Sequence, residues 1–309
     1  MLVDEHGRTV VSSFGWVDQG SLWIFRADTR EVETLKISDA KYAVLVPGMQ
    51  NHFSMVHHFD GTSIEISVHN FSDPGRPLAT ARIAADGSSL TGDVASWEHV
   101  QKFYTAYFAR SPIADSILFR VRPVERQVDM QQLGWYNQDY DKGYQGVIGV
   151  TEVPGYDLVL FAVQRSSELV LYDWGSQEKV GGVQLAGRGG NPNPFYRRHE
   201  NELWADDYDT LVKIDVTSGS ILAASLIQSE TGSGRQFMGR FAFDRSEKIC
   251  IIARPFSGDV VGLDPSTFEI RYRCRLGRQP LEAIVLPDNS IVARDWMSGS
   301  LLQGCLGSA

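Results

Sequence analysis

The run Ile249-Cys250-Ile251-Ile252 leads through Ala253 and Arg254 into the breaker set Pro255-Phe256-Ser257-Gly258, and a second apolar run follows at once. A handful of consecutive β-branched and small apolar residues between turn formers is too short for a helix. It reads as a strand packed on both faces. The same context, a turn, an apolar strand, a turn and a further strand, recurs along the whole chain. Its other members begin at Leu22, Ile64, Ile117, Leu158, Leu203 and Ile291, with spacings of 42, 53, 41, 45, 46 and 42 residues. Hardly any stretch shows a sustained 3.6-residue period. The chain is therefore expected to be all-β, in units of about 40–45 residues with four short strands each.

That period and strand count are the signature of a β-propeller. The residues after Ile291 and those up to Leu22 together make one further repeat length, so seven units account for residues 1–309 as a single domain. The expected fold is a seven-bladed β-propeller of four-stranded antiparallel blades. The last unit reads one strand short, and Met1-Leu2-Val3 is expected to supply that outer strand, closing the ring and covering two sheet edges. Asp18-Gln19-Gly20, Asp60-Gly61, Pro154-Gly155 and Asp288-Asn289 precede the recurring strand and suit hairpins, as do Thr217-Ser218-Gly219 and Asp264-Pro265-Ser266 one hairpin further on. The wide second gap implies an insertion around residues 88–102. The pattern resembles the seven-bladed propeller superfamily of YVTN and WD40-like repeats over the whole chain. The likeness is architectural, since no WD dipeptide recurs, and such folds host hydrolases, lyases, redox subunits and scaffolds alike.

Composition narrows the class of function. The 309 residues are 43% apolar and 22% charged, as in ordinary globular proteins, and no apolar run is long enough to span a membrane. A net charge of −9 argues against nucleic acid, whose phosphates need a basic surface. The first twenty residues carry no signal-peptide pattern, so a cytoplasmic location is expected. Cys250, Cys274 and Cys305 are widely spaced, with no CxxC, and read as small apolar residues rather than metal ligands.

Taking the recurring strand as the second of each unit assigns every loop to one of two ends. Amides sit 12–16 residues before it in six units: Gln50, Gln101, Gln145, Asn191, Gln236 and Gln279. These would collar the upper mouth of a central channel, although an amide there also serves to pair loop backbone. Arg188, Arg235 and Arg278 enter units five to seven, the last two in repeated Gly-Arg-Gln triplets, and Arg240 follows. Trp135, Tyr136, Tyr140 and Tyr144 enter unit four, and Trp97 and His99 enter unit three. Guanidinium forks facing aromatic walls suit a small organic anion. Acidic turn residues (Asp18, Asp60, Asp115, Asp157, Glu200, Glu202, Asp244, Glu247, Asp288) are assigned to the opposite end, where they would steer an anion upward.

Other chemistry is sparse. Of the seven histidines, His52, His57, His58 and His69 fall in unit two, and buried hydrogen-bonded imidazoles are expected there rather than a metal site. Asp206-Asp207-Tyr208-Asp209 lacks the alternating pattern of a calcium loop, and Asn191-Pro192-Asn193-Pro194 fixes an extended entry to the same unit. No nucleophile elbow, phosphate loop or dinucleotide fingerprint is present, so no cofactor or metal is expected. Three readings follow. The first is an organic-anion site in the upper mouth, built from Arg235, Arg278, Gln236, Gln279, Asn191, Tyr144 and Trp135 with Arg188, Asn193, Gln145, Gln50 and Gln101. The second is a protein-interaction scaffold using rim aromatics Phe71, Phe256 and Trp296. The third is a metal-assisted hydrolase or lactonase, with Asn193 and Asp206 or Asp207 at the ion.

Overall fold

The computed structural model describes residues 1–4, 6–14, 21–36, 42–45, 51–58, 63–84, 90–91, 103–108, 116–122, 127–132, 147–153, 157–163, 168–185, 194–197, 200–215, 220–226 and 238–308. These fall into two units, residues 1–147 and 148–309, taken separately below. Every regular element among the described residues is a strand, and all the sheets are antiparallel meanders.

In the first unit, one sheet comprises β1 (Leu2–Val3), β2 (Thr9–Phe14), β3 (Ser21–Arg26) and β4 (Glu31–Lys36). The next comprises β5 (Tyr42–Leu45), β6 (His52–His58), β7 (Ser63–Asn70), β8 (Asp73–Ala84) and β9 (Leu90–Thr91). The third holds β10 (Phe103–Phe108), β11 (Ser116–Arg122) and β12 (Gln127–Gln132). The second unit opens with a sheet of β13 (Val147–Val153), β14 (Leu158–Val163), β15 (Glu168–Asp173) and β16 (Glu178–Gln184). The fifth sheet is β17 (Phe195–Arg197), β18 (Glu202–Asp207), β19 (Thr210–Asp215) and β20 (Ile221–Leu226). The sixth is β21 (Phe241–Phe243), β22 (Cys250–Arg254), β23 (Asp259–Leu263) and β24 (Ile270–Arg275). The seventh is β25 (Pro280–Val285), β26 (Ser290–Asp295) and β27 (Ser300–Cys305), after which β28 (Gly307–Ser308) returns to pair with β24.

All seven recurring runs are strands or open directly into one, but their rank differs between the units. From the third sheet on, the run is the second strand (β11, β14, β18, β22, β26). In the first two sheets Leu22 and Ile64 lie in β3 and β7, the third strands. The second and third strands of such a sheet are both apolar and both followed by a short polar turn, so the pattern shows a strand without its rank. Asp18 and Asp60, which lie outside the described residues, therefore fall in chain order between the second and third strands of their sheets, not between the first and second.

The expected closure by Met1-Leu2-Val3 is also corrected. Leu2 and Val3 pair with Val11 and Val10 as the first strand of the first sheet, and the seventh sheet has three strands. The cause is a local turn. The buried Asp4 carboxylate accepts the N–H groups of His6 and Arg8 at 3.2 and 2.7 Å, and Gly7 takes φ +69°. That reverses the chain before it can leave the sheet.

Alternation of side chains on the strands builds the core. On β18, Leu203 and Ala205 face the fourth sheet, packing with Leu160, Ala162, Leu169 and Leu171. Trp204, between them, faces Phe241, Cys250, Ile252 and Val261 of the sixth. On β22, Cys250 and Ile252 face the fifth sheet, while Ile251 and Ala253 meet Ala283, Ile291 and Ala293 of the seventh. Strands β22, β23 and β26 are buried along their whole length, whereas the outer strands β16 and β24 are mostly exposed.

Trp204 is completely buried, and its Nε1–H donates to Glu202 at 3.0 Å. Trp204→Ala is expected to cost roughly 3–5 kcal/mol by emptying the space between the fifth and sixth sheets. Val180→Ala, on the half-exposed edge of β16, should change stability by under about 0.5 kcal/mol. Urea unfolding midpoints of the two variants check the contrast.

Candidate functional site

Of the expected ligand residues, Arg278 and Gln279 are described. Arg188, Asn191, Asn193, Arg235, Gln236, Gln145, Gln50, Gln101, Tyr144 and Trp135 lie outside the described residues, as do Tyr136, Tyr140, Trp97 and His99. In chain order, Gln101, Gln145, Asn191, Gln236 and Gln279 each precede the first strand of a sheet, while Gln50 falls between β5 and β6.

The described part of the site is built around Asp295, the last residue of β26, which is 1% exposed. Its Oδ2 accepts the backbone N–H groups of Arg278 and Gln279 at 2.6 and 2.8 Å, and its Oδ1 accepts the N–H and the hydroxyl of Ser298 at 2.8 and 3.0 Å. One carboxylate thereby fixes both the linker between the sixth and seventh sheets and the turn after β26. The Trp296 N–H donates to the Gln279 carbonyl at 2.9 Å and completes the link. Gly277 makes the close approach possible. It sits at φ +79°, and a Cβ there would overlap the Asp295 carboxylate. On the other side, Gly258 sits at φ +67°, and a Cβ there would stand 3.3 and 3.5 Å from the carbonyl oxygens of Gly277 and Arg278.

The linker is thus flanked by the turns of residues 255–258 and 296–299. Both carry exposed apolar side chains: Phe256 at 63%, Trp296 at 53% and Met297 at 64%. Arg278 is exposed between them. Phe71, expected on the same kind of rim, is instead 1% exposed, with its ring centroid 5.0 Å from that of Phe53. A turn residue following an apolar strand can point inward, and the first two sheets are offset by one strand from the assumed order.

Just beyond the linker, Arg240 forms a parallel bridge to Glu282, and Glu282 accepts Arg294 at 3.2 Å. Burial, with Arg240 adding to it, pushes the Arg294 guanidinium down to about 10. Of the acidic residues expected to form an open negative face, Asp18, Asp60 and Asp115 lie outside the described residues, and Glu202, Glu247, Asp244 and Asp288 are engaged locally. Arg197 binds Glu202 at 3.1 Å and approaches Glu247 at 3.8 Å, and Lys213 also binds Glu202. Asp244 and Asp288 accept backbone N–H groups of their own turns. Asp206 and Asp207 are buried in β18. Among the described residues, no group of three or more His, Cys, Asp or Glu is placed to hold a metal ion. His69 is buried, 2.7 Å from the Ser67 hydroxyl and 2.9 Å from the Pro74 carbonyl, and stacks on Phe53.

Sequence reasoning missed Asp295 and Met297. A signal for Asp295 existed: an Asp ending a strand with Ser three residues later recurs at Asp173 and Ser176, where the Ser176 N–H donates to the carboxylate at 3.0 Å. Burial raises the Asp295 carboxyl, but the N–H groups of Gln279, Ser298 and Arg278 and the Ser298 hydroxyl outweigh it and hold the group below its ordinary value. A carboxyl whose folded pKa is depressed contributes stability above its unfolded pKa, about 4, and loses it as pH falls through the folded value. Asp295→Asn is therefore expected to lose about 2–3 kcal/mol at neutral pH. Its difference from wild type should shrink progressively below about pH 4 in urea titrations run at successive pH values.

No family model matches the chain, and no curated protein matches its sequence. Solved structures do resemble it in fold. The Cps50 (Swd1) β-propeller domain of Myceliophteria thermophila superposes with a TM-score of 0.69 at 11% identity, covering 99% of this chain and 96% of that one. A candidate 6-phosphogluconolactonase of Bacteroides fragilis gives 0.64 at 11% identity, covering 97% and 92%. Its counterpart from Bacteroides uniformis gives 0.61 at 8% identity, covering 97% and 94%. At these identities the likeness is one of fold: an all-β chain of antiparallel sheets of the β-propeller kind.

Proposed function

We propose that residues 1–309 form one seven-bladed propeller that works as a protein-interaction module. The ends of its sixth and seventh sheets capture a partner segment that combines carboxylates with apolar side chains. The observation that carries this reading is the set of exposed Phe256, Trp296 and Met297 on turns either side of Arg278, with the backbone between them pinned by a buried carboxylate. Large apolar side chains on rigid turns lose little entropy on binding, and aromatic and Arg residues dominate binding hot spots. The seven sheets among the described residues, and a likeness covering nearly the whole chain, support the single ring.

A small organic anion is the second reading. It is favoured by the Gly-Arg-Gln triplet at residues 277–279, which holds an exposed guanidinium on a fixed backbone, and by its repetition at residues 234–236. A planar fork held in place suits a carboxylate or phosphate.

Selection of a random twelve-residue peptide display library on the immobilised full chain tests the two readings. Acidic peptides with large apolar residues are expected to be enriched. Trp296→Ala and Arg278→Ala should each weaken binding of the selected peptides by about tenfold or more. Peptides that bind both variants as well as wild type would overturn the site. No enrichment, together with a thermal shift from citrate, succinate or phosphate that Arg278→Ala abolishes, would transfer it to a small anion. A shift seen with calcium alone, from a chelated baseline, would favour the metal-assisted hydrolase.

A further inference from the structure

The seventh sheet has three strands where the first, fourth, fifth and sixth carry a fourth, outer one: β4, β16, β20 and β24. After β27 the chain takes another course. Leu306 packs into the seam between the sixth and seventh sheets, and Gly307 and Ser308 pair with Arg273 and Tyr272 of β24. Among the described residues, β27 is paired with β26 alone. About half of its backbone N–H and C=O groups therefore point along the sheet to the side where the other sheets have a strand.

This edge is built differently from the other outer edges. β4 carries Glu31, Glu33 and Lys36, and β16 carries Glu178 and Lys179. β16, β20 and β24 each meet the third strand of their sheet through a bulge, and β24 is covered in part by β28. Charge, bulges and cover are what keep a sheet edge from taking on a further strand. β27 reads Ser300-Leu301-Leu302-Gln303-Gly304-Cys305, with no charge and no proline, and pairs with β26 through all six residues without a shift in register. It has the composition and regularity of an inner strand. The same edge runs up to the turn of residues 296–299, where Trp296 and Met297 are exposed. That turn abuts the linker carrying the exposed Arg278, since the Trp296 N–H donates to the Gln279 carbonyl.

We propose that the partner segment adds to the seventh sheet as its fourth strand, lying antiparallel along β27 with its C-terminal end at Trp296 and Met297. This placement rests on the binding reading above, in which those residues and Arg278 hold the partner. A strand of six residues spans about 20 Å, room for five or six residues of an extended segment held by main-chain bonds. Leu302 and Gly304 face the seam with the sixth sheet, and Leu301 faces the other way. The recognised segment is therefore free of proline, apolar at alternate positions, and carries Asp or Glu at its C-terminal end, on the side of Arg278. A second copy of β27 has no acidic residue to offer that guanidinium, which favours a separate partner.

The test takes the tightest-binding peptide selected from the twelve-residue library on the full chain and resynthesises it with each backbone nitrogen methylated in turn. Methylation removes one donor and leaves both the side chains and the protein untouched. A strand added to β27 is expected to show a period of two: every second N-methyl group weakens binding roughly fivefold or more, and those between are tolerated. Amide hydrogen exchange in the complex should slow by about tenfold or more at alternate residues of 300–305. Methylation tolerated throughout, with exchange over 300–305 unchanged while Trp296→Ala and Arg278→Ala still weaken the peptide, overturns strand addition and leaves the binding site standing. A peptide that binds both variants as well as wild type overturns the site and this placement together, as does a library that yields no binder. Protection of 300–305 that needs no peptide and grows with protein concentration, alongside a dimer in size-exclusion chromatography, overturns the separate partner and gives the edge to a second copy.

Discussion

The fifth and sixth sheets depend on one constraint: their middle strands are apolar on both faces, so each sheet needs a neighbour on each side. Trp204 and Leu203 are adjacent in sequence and face different sheets, as do Ile251 and Ile252. A strand of this kind cannot sit at the surface of a two-layer sandwich, because one face would always be wet. Stacking the sheets side by side satisfies it, and repeating the unit along the chain is the simplest way to supply the stack. The outer strands have no such demand: β16 carries Glu178 and Lys179 at its sheet edge, and β24 is covered in part by β28.

Acidic residues in this unit serve the fold before they serve any partner. Asp259, with no exposed surface, takes a two-pronged bond from Arg254 at 2.8 and 2.6 Å and a third contact from Arg273 at 2.6 Å. Asp295 does the same work with backbone N–H groups. A buried carboxylate is tolerated only when its oxygens are satisfied, and removing a partner then leaves an uncompensated charge. The net charge of −9 is accordingly a poor guide to the field a ligand would meet, since acids such as Glu202 and Asp259 are paired with Arg and Lys side chains inside the fold.

The strands were legible in the sequence because local apolar runs and turn residues report them directly. Their rank was not. Leu22-Trp23-Ile24-Phe25 and Ile291-Val292-Ala293 look alike as runs, yet one is a third strand and the other a second. Rank depends on where a meander begins, and that depends on single residues such as Asp4, whose carboxylate turns the chain back at residues 4–8. Phe71 shows the same limit. A phenylalanine after a strand reads as a rim residue, and only the tilted ring contact with Phe53 and the packing of Leu22 and Ile24 explain why it is buried. Arg278 was legible as a charge on a loop. That its backbone is fixed by a residue 17 positions away was not, because such a bond is a property of two sheets meeting.

The place where the chain is free to specialise follows from the same physics. A middle strand answers to two neighbouring sheets through alternate residues, so Ile252 cannot change without disturbing the contact with the fifth sheet, nor Ala293 the contact with the sixth. Phe256, Trp296 and Met297 have more than half of their surface in water and add little to the core. Their cost to the folded protein is exposed apolar surface, which a domain selected for stability alone would not keep in two adjacent turns. Asp295 sharpens the point, because it fixes the linker that separates those turns at the expense of burying a charge. The same Asp-to-Ser turn contact recurs at Asp173 and Ser176, so pinning of this kind belongs to the sheet ends in general, and what sets residues 277–279 apart is the exposed Arg278 and the apolar side chains on the turns beside it.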